Sequence, residues 1–423
     1  MQKFTDHLGR PVVAVTGIGM VTSLGIGKEA NWAALTSGKS GISSISRFPV
    51  DHLRTTFSGM VDFLDSSKDG PVALTSELAS LAAKEAISQA GLDPARFGGP
   101  LFLAAPPVEA DWPTRIMLYE TENEGEGHQR ILAAVRKTNG FEIFNRSSFF
   151  SIADQLADEI GSTGLPITLS TACASGATAI QLGVEAIRRG ESNRVISIGA
   201  DGSATAEAVI RFSLLSALST RNDAPEKASR PFSDDRDGFV LAEGAAALVM
   251  ESLESAVARG AKVIGIMAGC GEKADDFHRT RSKPDASPAI ATIRAALADA
   301  GVSENAIGYI NAHGTSTPEN DKMEYLALST VFGERMHNLP VSSNKSMIGH
   351  TLSAAGAIEA AFSLLTMRDG IMPPTINYDT PDPDIAVDPV ANVARKADIR
   401  MVLSNSFGFG GQNACLVMAR DPG

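Results

Sequence analysis

Ile167-Thr-Leu-Ser-Thr-Ala-Cys173-Ala-Ser-Gly-Ala-Thr-Ala-Ile180 is the stretch that decides the fold. A short β-branched run leads to Cys173, and small residues lead from there into a helix with apolar residues at spacings of three and four. This order predicts a thiol near a helix N-terminus. Unpaired backbone N–H groups and the helix dipole favour a thiolate there, so Cys173 is a candidate nucleophile.

The residues that follow complete a βαβ unit. The helix ends at Arg188-Arg-Gly190, and Arg194–Gly199 is predicted to be the next strand. We therefore predict a parallel sheet with helices on both faces. A second strand–loop–helix pattern later in the chain indicates an internal duplication. We place the N-terminal half at residues 1–260 and the C-terminal half at residues 261–423.

Composition excludes several classes of protein. The chain has 423 residues, 43% apolar, and a net charge of −12, which allows a large core and opposes nucleic-acid binding. No apolar stretch is long enough to be inserted in a membrane, and the N-terminus has no signal core. The three cysteines form neither a zinc pattern nor a disulfide framework. We expect a cytoplasmic protein without a metal site.

Two of the seven histidines lie where a proton-handling group is expected. His313 and His350 each follow a predicted strand, in loops rich in glycine and hydroxyl residues. Such loops gather at one edge of an α/β sheet, so both imidazoles are predicted to converge with Cys173. Two imidazoles that donate to one oxygen can stabilise the enolate left by loss of CO₂. A hydrolase would instead need one histidine and an orienting acid.

Two further features accompany these three residues. Lys345 lies five residues before His350, where it either tunes the site or is an ordinary surface lysine. The segment Asn405–Gly411 places glycines, including Gly408 and Gly410, around two aromatic residues. It forms either a plain turn between the final strands or a mobile loop. In the second case the backbone N–H groups of Phe409 and Cys173 form an oxyanion hole.

Taken together, the motifs resemble those of the elongating β-ketoacyl–acyl-carrier-protein synthases. These are the type II (KAS II-like) condensing enzymes of bacterial fatty acid synthesis, within the thiolase superfamily. The segments that carry the resemblance are Thr171–Gly176, Leu218–Asp223, Ser229–Phe232, Arg236–Val240, Asn311–Pro318, Lys345–His350 and Asn405–Gly411. The resemblance implies an α/β thiolase fold with duplicated halves in a five-layer αβαβα sandwich, and a homodimer.

The resemblance also implies a reaction, 3-oxoacyl-acyl-carrier-protein synthesis in fatty acid elongation. Cys173 would take an acyl chain from an acyl carrier protein, and malonyl-carrier protein would then lose CO₂. His313 and His350 would stabilise the enolate, which attacks the acyl-cysteine in a decarboxylative Claisen condensation. No cofactor is implied beyond the phosphopantetheine that arrives on the carrier.

Supporting roles follow from the same resemblance. Thr315 and Thr317 would hydrogen-bond the phosphopantetheine arm, and Thr280 matches a substrate-binding loop near the pocket. Lys345 and Glu359 would belong to the network behind the histidines. Phe409 would gate the acyl pocket.

The chain departs from the family pattern in segments that normally contact the acyl chain or the carrier. Leu101–Trp112 stands where the family commonly has a Gly-rich segment, and the stretch from there to Phe150 is unlike that of housekeeping members. Ser216 stands where an arginine is often found, and residues 275–283 carry extra basic side chains. These departures suggest a specialised paralogue for an unusual chain or a dedicated carrier.

Two alternatives stay open from the sequence. One is a catalytically silent partner subunit, similar to a chain-length factor. The other is a CoA-dependent thiolase-type enzyme, in which Cys415 would be a second active-site cysteine. The sequence leaves the acyl length, the carrier and the final lipid product open.

Overall fold

The computed structural model describes residues 4–107 and 110–422. Within them the β-strands are β1 (Val13–Thr22), β2 (Gly25–Ile26), β3 (Ser43–Ser44), β4 (Phe57–Ser58), β5 (Leu101–Ala104), β6 (Ile167–Leu169), β7 (Arg194–Asp201), β8 (Gly244–Ser252), β9 (Gly265–Ala274), β10 (Tyr309–Asn311), β11 (Pro340–Ser342), β12 (Ile371–Met372), β13 (Asp388–Pro389), β14 (Arg395–Lys396), β15 (Met401–Phe407) and β16 (Gln412–Ala419). The α-helices are α1 (Lys28–Thr36), α2 (Pro71–Gln89), α3 (Trp112–Thr121), α4 (Gly127–Lys137), α5 (Gly140–Arg146), α6 (Ser151–Ile160), α7 (Ser175–Arg188), α8 (Ala206–Leu214), α9 (Leu253–Ala258), α10 (Ser287–Ala300), α11 (Pro318–Phe332), α12 (Lys345–Ile348) and α13 (Ala355–Asp369).

One large sheet contains the same strand order twice. Its order is β13-β11-β10-β15-β16-β9-β1-β8-β7-β5-β6. In the first half β6, β5 and β7 are parallel, and β8 and β1 then continue antiparallel. In the second half β11, β10 and β15 are parallel, and β16 and β9 continue antiparallel. The two halves join where β1 pairs antiparallel with β9.

This topology corrects the prediction of a parallel sheet. The βαβ unit around α7 is present, because β6 and β7 lie parallel on either side of β5. The strands nearest the junction are antiparallel, so the sheet is mixed. The duplicated strand order agrees with two similar halves, while their division at residue 260 stays a prediction.

The helices form three layers that alternate with the two halves of the sheet. α2 and α6 pack on the outer face of the first half, and α10 and α11 on the outer face of the second. α7 and α13 lie between the halves and pack on each other. The result is the predicted five-layer αβαβα arrangement. β8 is buried along its whole length, as expected for a strand covered on both faces.

The two central helices approach most closely through a pair of glycines. An ideal Cβ on Gly176 would lie 2.5 Å from the backbone nitrogen of Ala357, and one on Gly356 would lie 2.6 Å from that of Ala177. The contacts are reciprocal, as the duplicated order requires. Because no side chain fits at either place, the first turns of α7 and α13 lie directly against each other.

Residues 111–146 fold into three surface helices, α3 to α5, with few buried side chains. Ala134 is buried, whereas Trp112, Phe141 and Phe144 are exposed. This apolar surface belongs to the segment that lies between β5 and β6 in the chain. Among the described residues, none of the helices has the length and apolar character needed to cross a bilayer.

Candidate active site

Cys173, His313 and His350 meet between the two halves. The Cys173 sulfur and one ring nitrogen of each histidine all lie within 4.8 Å of one another. Cys173 follows the parallel strand β6 and His313 follows the parallel strand β10, while His350 lies just after α12, the short helix that follows β11. All three are buried, with exposures of 8%, 2% and 2%. The predicted convergence is therefore present.

A tight turn presents the Cys173 thiol. Ala172 adopts a left-handed conformation with φ of 49°, and the Ser175 hydroxyl closes the turn on both sides. The Thr171 N–H donates to Ser175 Oγ at 2.8 Å, and this oxygen's proton is donated to the Ala172 carbonyl at 2.6 Å. α7 begins at Ser175, so Cys173 lies at the helix start as predicted.

The predicted thiolate, however, is wrong for the free protein. Burial raises the pKa of the Cys173 thiol to about 11. Hydrogen bonds from the backbone N–H groups of Phe409 and of Cys173 itself, and the positive charge of Lys345, offset only part of this effect on the pKa. Desolvation of the charged form outweighs the helix dipole here, because the sulfur has little contact with water.

The two imidazoles are neutral and carry their protons on the same ring nitrogen, while their ring planes lie at 84° to each other. Burial and the nearby charge of Lys345 hold the pKa of both His313 and His350 well below 6.5. His350 Nδ1 accepts a hydrogen bond from the Leu352 N–H at 3.3 Å, and His313 Nδ1 lies 3.4 Å from Lys345 Nζ. Both Nδ1 atoms are thus acceptors, which places the proton on Nε2 of each ring. The site therefore holds two N–H donors.

Lys345 is a buried part of the site, so the surface-lysine alternative is wrong. It is 1% exposed, and its Nζ donates to the His313 carbonyl at 2.7 Å and to the Glu359 carboxylate. Burial raises the pKa of Glu359 to about 7. The predicted Lys345–Glu359 network is therefore present behind the histidines.

Glu324 is a positioning residue that the sequence did not reveal. Its carboxylate accepts the His313 N–H at 2.9 Å, the Gly314 N–H at 2.8 Å and the Asn405 side-chain amide at 3.0 Å. The sequence signal that could have identified Glu324 is its position beside the apolar Met323, on the face of α11 that packs inward.

The glycine-rich segment is both a turn and part of the site. It connects β15 to β16, with the Gly408 N–H donating to the Gln412 carbonyl at 2.7 Å. A Cβ on Gly408 would lie 3.3 Å from the Cys173 nitrogen, so glycine permits the close approach. Gly410 has a φ of +87°, and its N–H donates to the Arg279 carbonyl at 2.7 Å. The loop thereby places the Phe409 N–H at the sulfur.

The three predicted threonines lie in the loops that follow β10 and β9. Thr315 and Thr317 follow His313, with their hydroxyl oxygens 2.9 Å apart, and Thr317 caps the start of α11. Thr280 hydrogen-bonds the His278 ring in the loop at residues 275–283. Their contact with a phosphopantetheine arm stays a prediction.

A cavity of about 1460 Å³ opens at Cys173 and Phe409 and extends to Trp112 and Met117 on α3. Asp201, at the end of β7, also lines it, and the sequence did not reveal this residue. Its carboxylate accepts the Ser353 N–H at 3.1 Å, and burial raises its pKa to about 6. The signal that could have identified Asp201 is an acidic residue at the end of a buried, mostly apolar strand.

Comparison with known proteins agrees with this site. Residues 10–256 match the family description "Beta-ketoacyl synthase, N-terminal domain", and residues 264–379 match "Beta-ketoacyl synthase, C-terminal domain". The 3-oxoacyl-[acyl-carrier-protein] synthase 2 of Vibrio cholerae is 38% identical, with 96% of this chain and 99% of the relative covered. The tetracenomycin polyketide synthase ketoacyl synthase alpha subunit of Streptomyces glaucescens is 37% identical, with 98% of each covered.

Solved structures show the same architecture. A chain from the complex of a type II polyketide synthase acyl-carrier protein with its ketosynthase aligns with a TM-score of 0.86 at 31% identity, covering 97% of this chain and all of the other. A β-ketoacyl synthase from Burkholderia phymatum aligns with a TM-score of 0.81 at 31% identity, covering 97% of this chain and 99% of the other. The fold is therefore the thiolase fold of the ketosynthases, and the chain belongs to the β-ketoacyl synthase family.

Proposed function

We propose that the protein is a 3-oxoacyl-acyl-carrier-protein synthase that joins malonyl units to a cysteine-bound acyl chain. The observation that carries this proposal is the buried cluster of one thiol and two neutral imidazoles within 4.8 Å. The relatives named as 3-oxoacyl-acyl-carrier-protein synthase 2 support the same activity.

The first half-reaction is acyl transfer to Cys173. The sulfur attacks the carbonyl carbon of a carrier-protein thioester, and the thiol proton leaves with the carrier's thiol. The N–H groups of Phe409 and Cys173, which both reach the sulfur, are placed to stabilise the oxyanion of the tetrahedral intermediate. Because the pKa of the free thiol is about 11, proton loss accompanies attack instead of preceding it.

The second half-reaction uses the two histidines. Malonyl-carrier protein loses CO₂, and the electron pair of the broken C–C bond forms an enolate. The Nε2–H groups of His313 and His350 each donate a hydrogen bond to the enolate oxygen. A single general base could not supply these two donors. The enolate carbon then attacks the acyl carbonyl and forms the new C–C bond. The tetrahedral intermediate collapses, and the Cys173 thiolate leaves and regains a proton.

The alternatives fit the site less well. Cys415 lies within β16, paired opposite Asn405, and is not part of the cluster of three. This position gives no support to a thiolase with a second active-site cysteine. A catalytically silent subunit is disfavoured because the nucleophile and both imidazoles are in place.

We also propose an acyl carrier protein as partner, a homodimer as the assembly and the cytoplasm as the location. The structural neighbour solved with its acyl-carrier protein supports the first. The second is supported by the open edge of β6, where Leu165 and Ile167 are exposed, and by the apolar surface of α3 to α5. The cytoplasm is supported by three unpaired cysteines.

A second candidate substrate class is a polyketide chain. Its support is the 37% identity to a polyketide synthase ketoacyl synthase alpha subunit, nearly equal to the 38% identity to the fatty acid enzyme. The cavity wall formed by Trp112 and Met117 comes from the segment that departs from the family pattern. It also supports a specialised paralogue with its own chain or carrier.

The test is intact mass spectrometry of the enzyme after incubation with carrier-protein thioesters of graded length, saturated or bearing β-keto groups. We expect one acyl group per chain, its loss in Cys173→Ser, and its retention in Cys270→Ser, a matched buried cysteine. Saturated chains alone would favour fatty acid elongation, and β-keto chains alone polyketide extension. Normal acylation of Cys173→Ser would contradict the proposed function.

A further inference from the structure

We propose that Asp201 is a positioning residue, whose carboxylate fixes the turn that orients the His350 imidazole for decarboxylation. Asp201 ends β7, is buried, and lines the same cavity as Cys173. It reaches His350 through the backbone of the second half of the chain, without a direct contact to the ring. Its effect on decarboxylation rests on the proposed function, whereas its effect on the orientation of the ring does not.

The ring of His350 is held less firmly than its backbone. The His350 N–H donates to the Val240 carbonyl at 2.7 Å, and the His350 carbonyl accepts the Ala242 N–H at 3.0 Å. Within the described ranges the ring itself makes one hydrogen bond, which Nδ1 accepts from the Leu352 N–H at 3.3 Å. The edge contact with Phe239 is apolar. The direction of the Nε2–H group therefore depends on the position of the Leu352 N–H.

The turn that carries this N–H has a strained backbone. Leu352 has a φ of 45°, a left-handed conformation that a residue with a Cβ rarely adopts. Such a conformation persists only where the surroundings determine it. The next residue supplies a contact that does so, because the Ser353 N–H donates to Asp201 Oδ2 at 3.1 Å. This hydrogen bond joins the turn of the second half to the end of β7 in the first half.

The Asp201 carboxylate is itself anchored as an acceptor. Its Oδ1 accepts the Ser203 N–H at 3.1 Å and the Ser203 hydroxyl at 2.5 Å, which leaves Oδ2 for the Ser353 N–H. Three donors thus converge on two carboxylate oxygens. An asparagine has one side-chain oxygen, so its amide nitrogen would face at least one of these donors. Asp201→Asn therefore weakens the contact to the turn with almost no change in side-chain size.

Nitrogen NMR of the enzyme with ¹⁵N-labelled histidine tests the orientation of the ring without an activity assay. An Nδ1 that accepts a hydrogen bond differs in chemical shift from one that accepts none. In Asp201→Asn we expect the Nδ1 resonance of His350 to move toward that of an unbonded nitrogen. The resonance of His313, whose Nδ1 faces Lys345, should stay in place. His350→Ala and His313→Ala assign the two signals. An unmoved His350 resonance would overturn the inference.

Release of CO₂ from malonyl-carrier protein tests the consequence for the reaction. Asp201→Asn should lower it roughly tenfold, less than His350→Ala does, because the donor is misplaced and not removed. Acyl transfer to Cys173 should be affected much less. Asp201→Asn combined with His350→Ala should lose no more activity than His350→Ala alone, since a residue that acts through His350 has no effect without it. A further tenfold loss in the double variant would contradict the proposal.

Glu251 offers a matched control, because it is a buried acid at the other end of the paired strands β7 and β8. Glu251→Gln should lower the melting temperature but leave CO₂ release and the His350 resonance unchanged. Ser203→Ala keeps the Asp201 carboxylate and removes one of its donors. It should move the same resonance by a smaller amount, which provides a test even if Asp201→Asn folds poorly. The expected NMR shift in a protein that neither acylates nor decarboxylates would support the orienting contact and refute the proposed function alone.

Discussion

Cys173 occupies the position of a nucleophile, but its thiol stays protonated in the free enzyme. Because burial raises its pKa to about 11, the thiolate fraction should grow about tenfold for each pH unit up to that value. We predict that alkylation of the free enzyme by iodoacetamide accelerates about tenfold per unit between pH 7 and pH 9, as followed by intact mass. A rate that levels off below pH 8 would show that the site stabilises the thiolate after all.

The two histidines are expected to act on the decarboxylation step. His313→Ala and His350→Ala should each lower CO₂ release from malonyl-carrier protein roughly 100-fold, because each removes one of two donors to the enolate oxygen. Acyl transfer to Cys173 should be affected much less, which separates the two half-reactions. The exposed His337 offers a matched control, and His337→Ala should retain full activity. Unchanged CO₂ release in both variants would exclude this role.

The sequence revealed the reacting residues but not the acids that hold them. Cys173, His313 and His350 could be predicted because each lies in the loop of a strand–loop–helix pattern in the sequence. Glu324 and Asp201 could not, since each binds backbone N–H groups of another element: the loop after β10 for Glu324 on α11, and the distant Ser353 for Asp201. The pKa of Cys173 was missed for a related reason, because its desolvation arises from residues of both halves.

Among the secondary-structure elements, α7 and α13 set the spacing of the site. We predict that Gly356→Ala lowers condensation strongly, because the added methyl group would lie 2.6 Å from the Ala177 nitrogen and push the helix starts apart. The measurement is kcat for condensation, alongside the melting temperature. Gly308→Ala is the control, since its nearest neighbour would be 3.7 Å away. Equal kcat in both variants would show that the helices adjust without moving the site.

The local pattern also explains why the sheet was predicted as parallel. The βαβ signal around α7 describes β5, β6 and β7 correctly. The antiparallel pairing of β8 with β1 and of β16 with β9 depends on contacts between strands far apart in the chain. Because these strands are buried along most of their length, their apolar runs do not show strand direction.

For the whole molecule, the exposed edge at β6 predicts a dimer. We expect a solution mass of twice the 44.2 kDa of one chain, measured by light scattering with size-exclusion chromatography. Ile167→Lys should shift the protein toward the monomer, since a lysine on this edge opposes strand pairing. Val393→Lys, at a 75% exposed position elsewhere, is the control. A monomeric wild-type protein would contradict the proposed assembly.

The helices α3 to α5 show where prediction from one sequence ends. The apolar residues Trp112, Phe141 and Phe144 are exposed in the single chain, so they have no core whose periodicity could identify them. For this reason neither the wall of the cavity nor the acyl preference could be predicted from the sequence.

The reciprocal glycine contact has an evolutionary consequence. β6 and β11, the strands that come before α7 and α13, occupy corresponding places in the two halves, and the reciprocal contact aligns Gly176 with Gly356 and therefore Cys173 with Ser353. The residues at 176 and 357, and those at 177 and 356, share space across an approximate internal two-fold axis. Within each pair, a larger residue at one position should be tolerated only when the other position carries a smaller residue. Related sequences should therefore show covariation at these two pairs of positions.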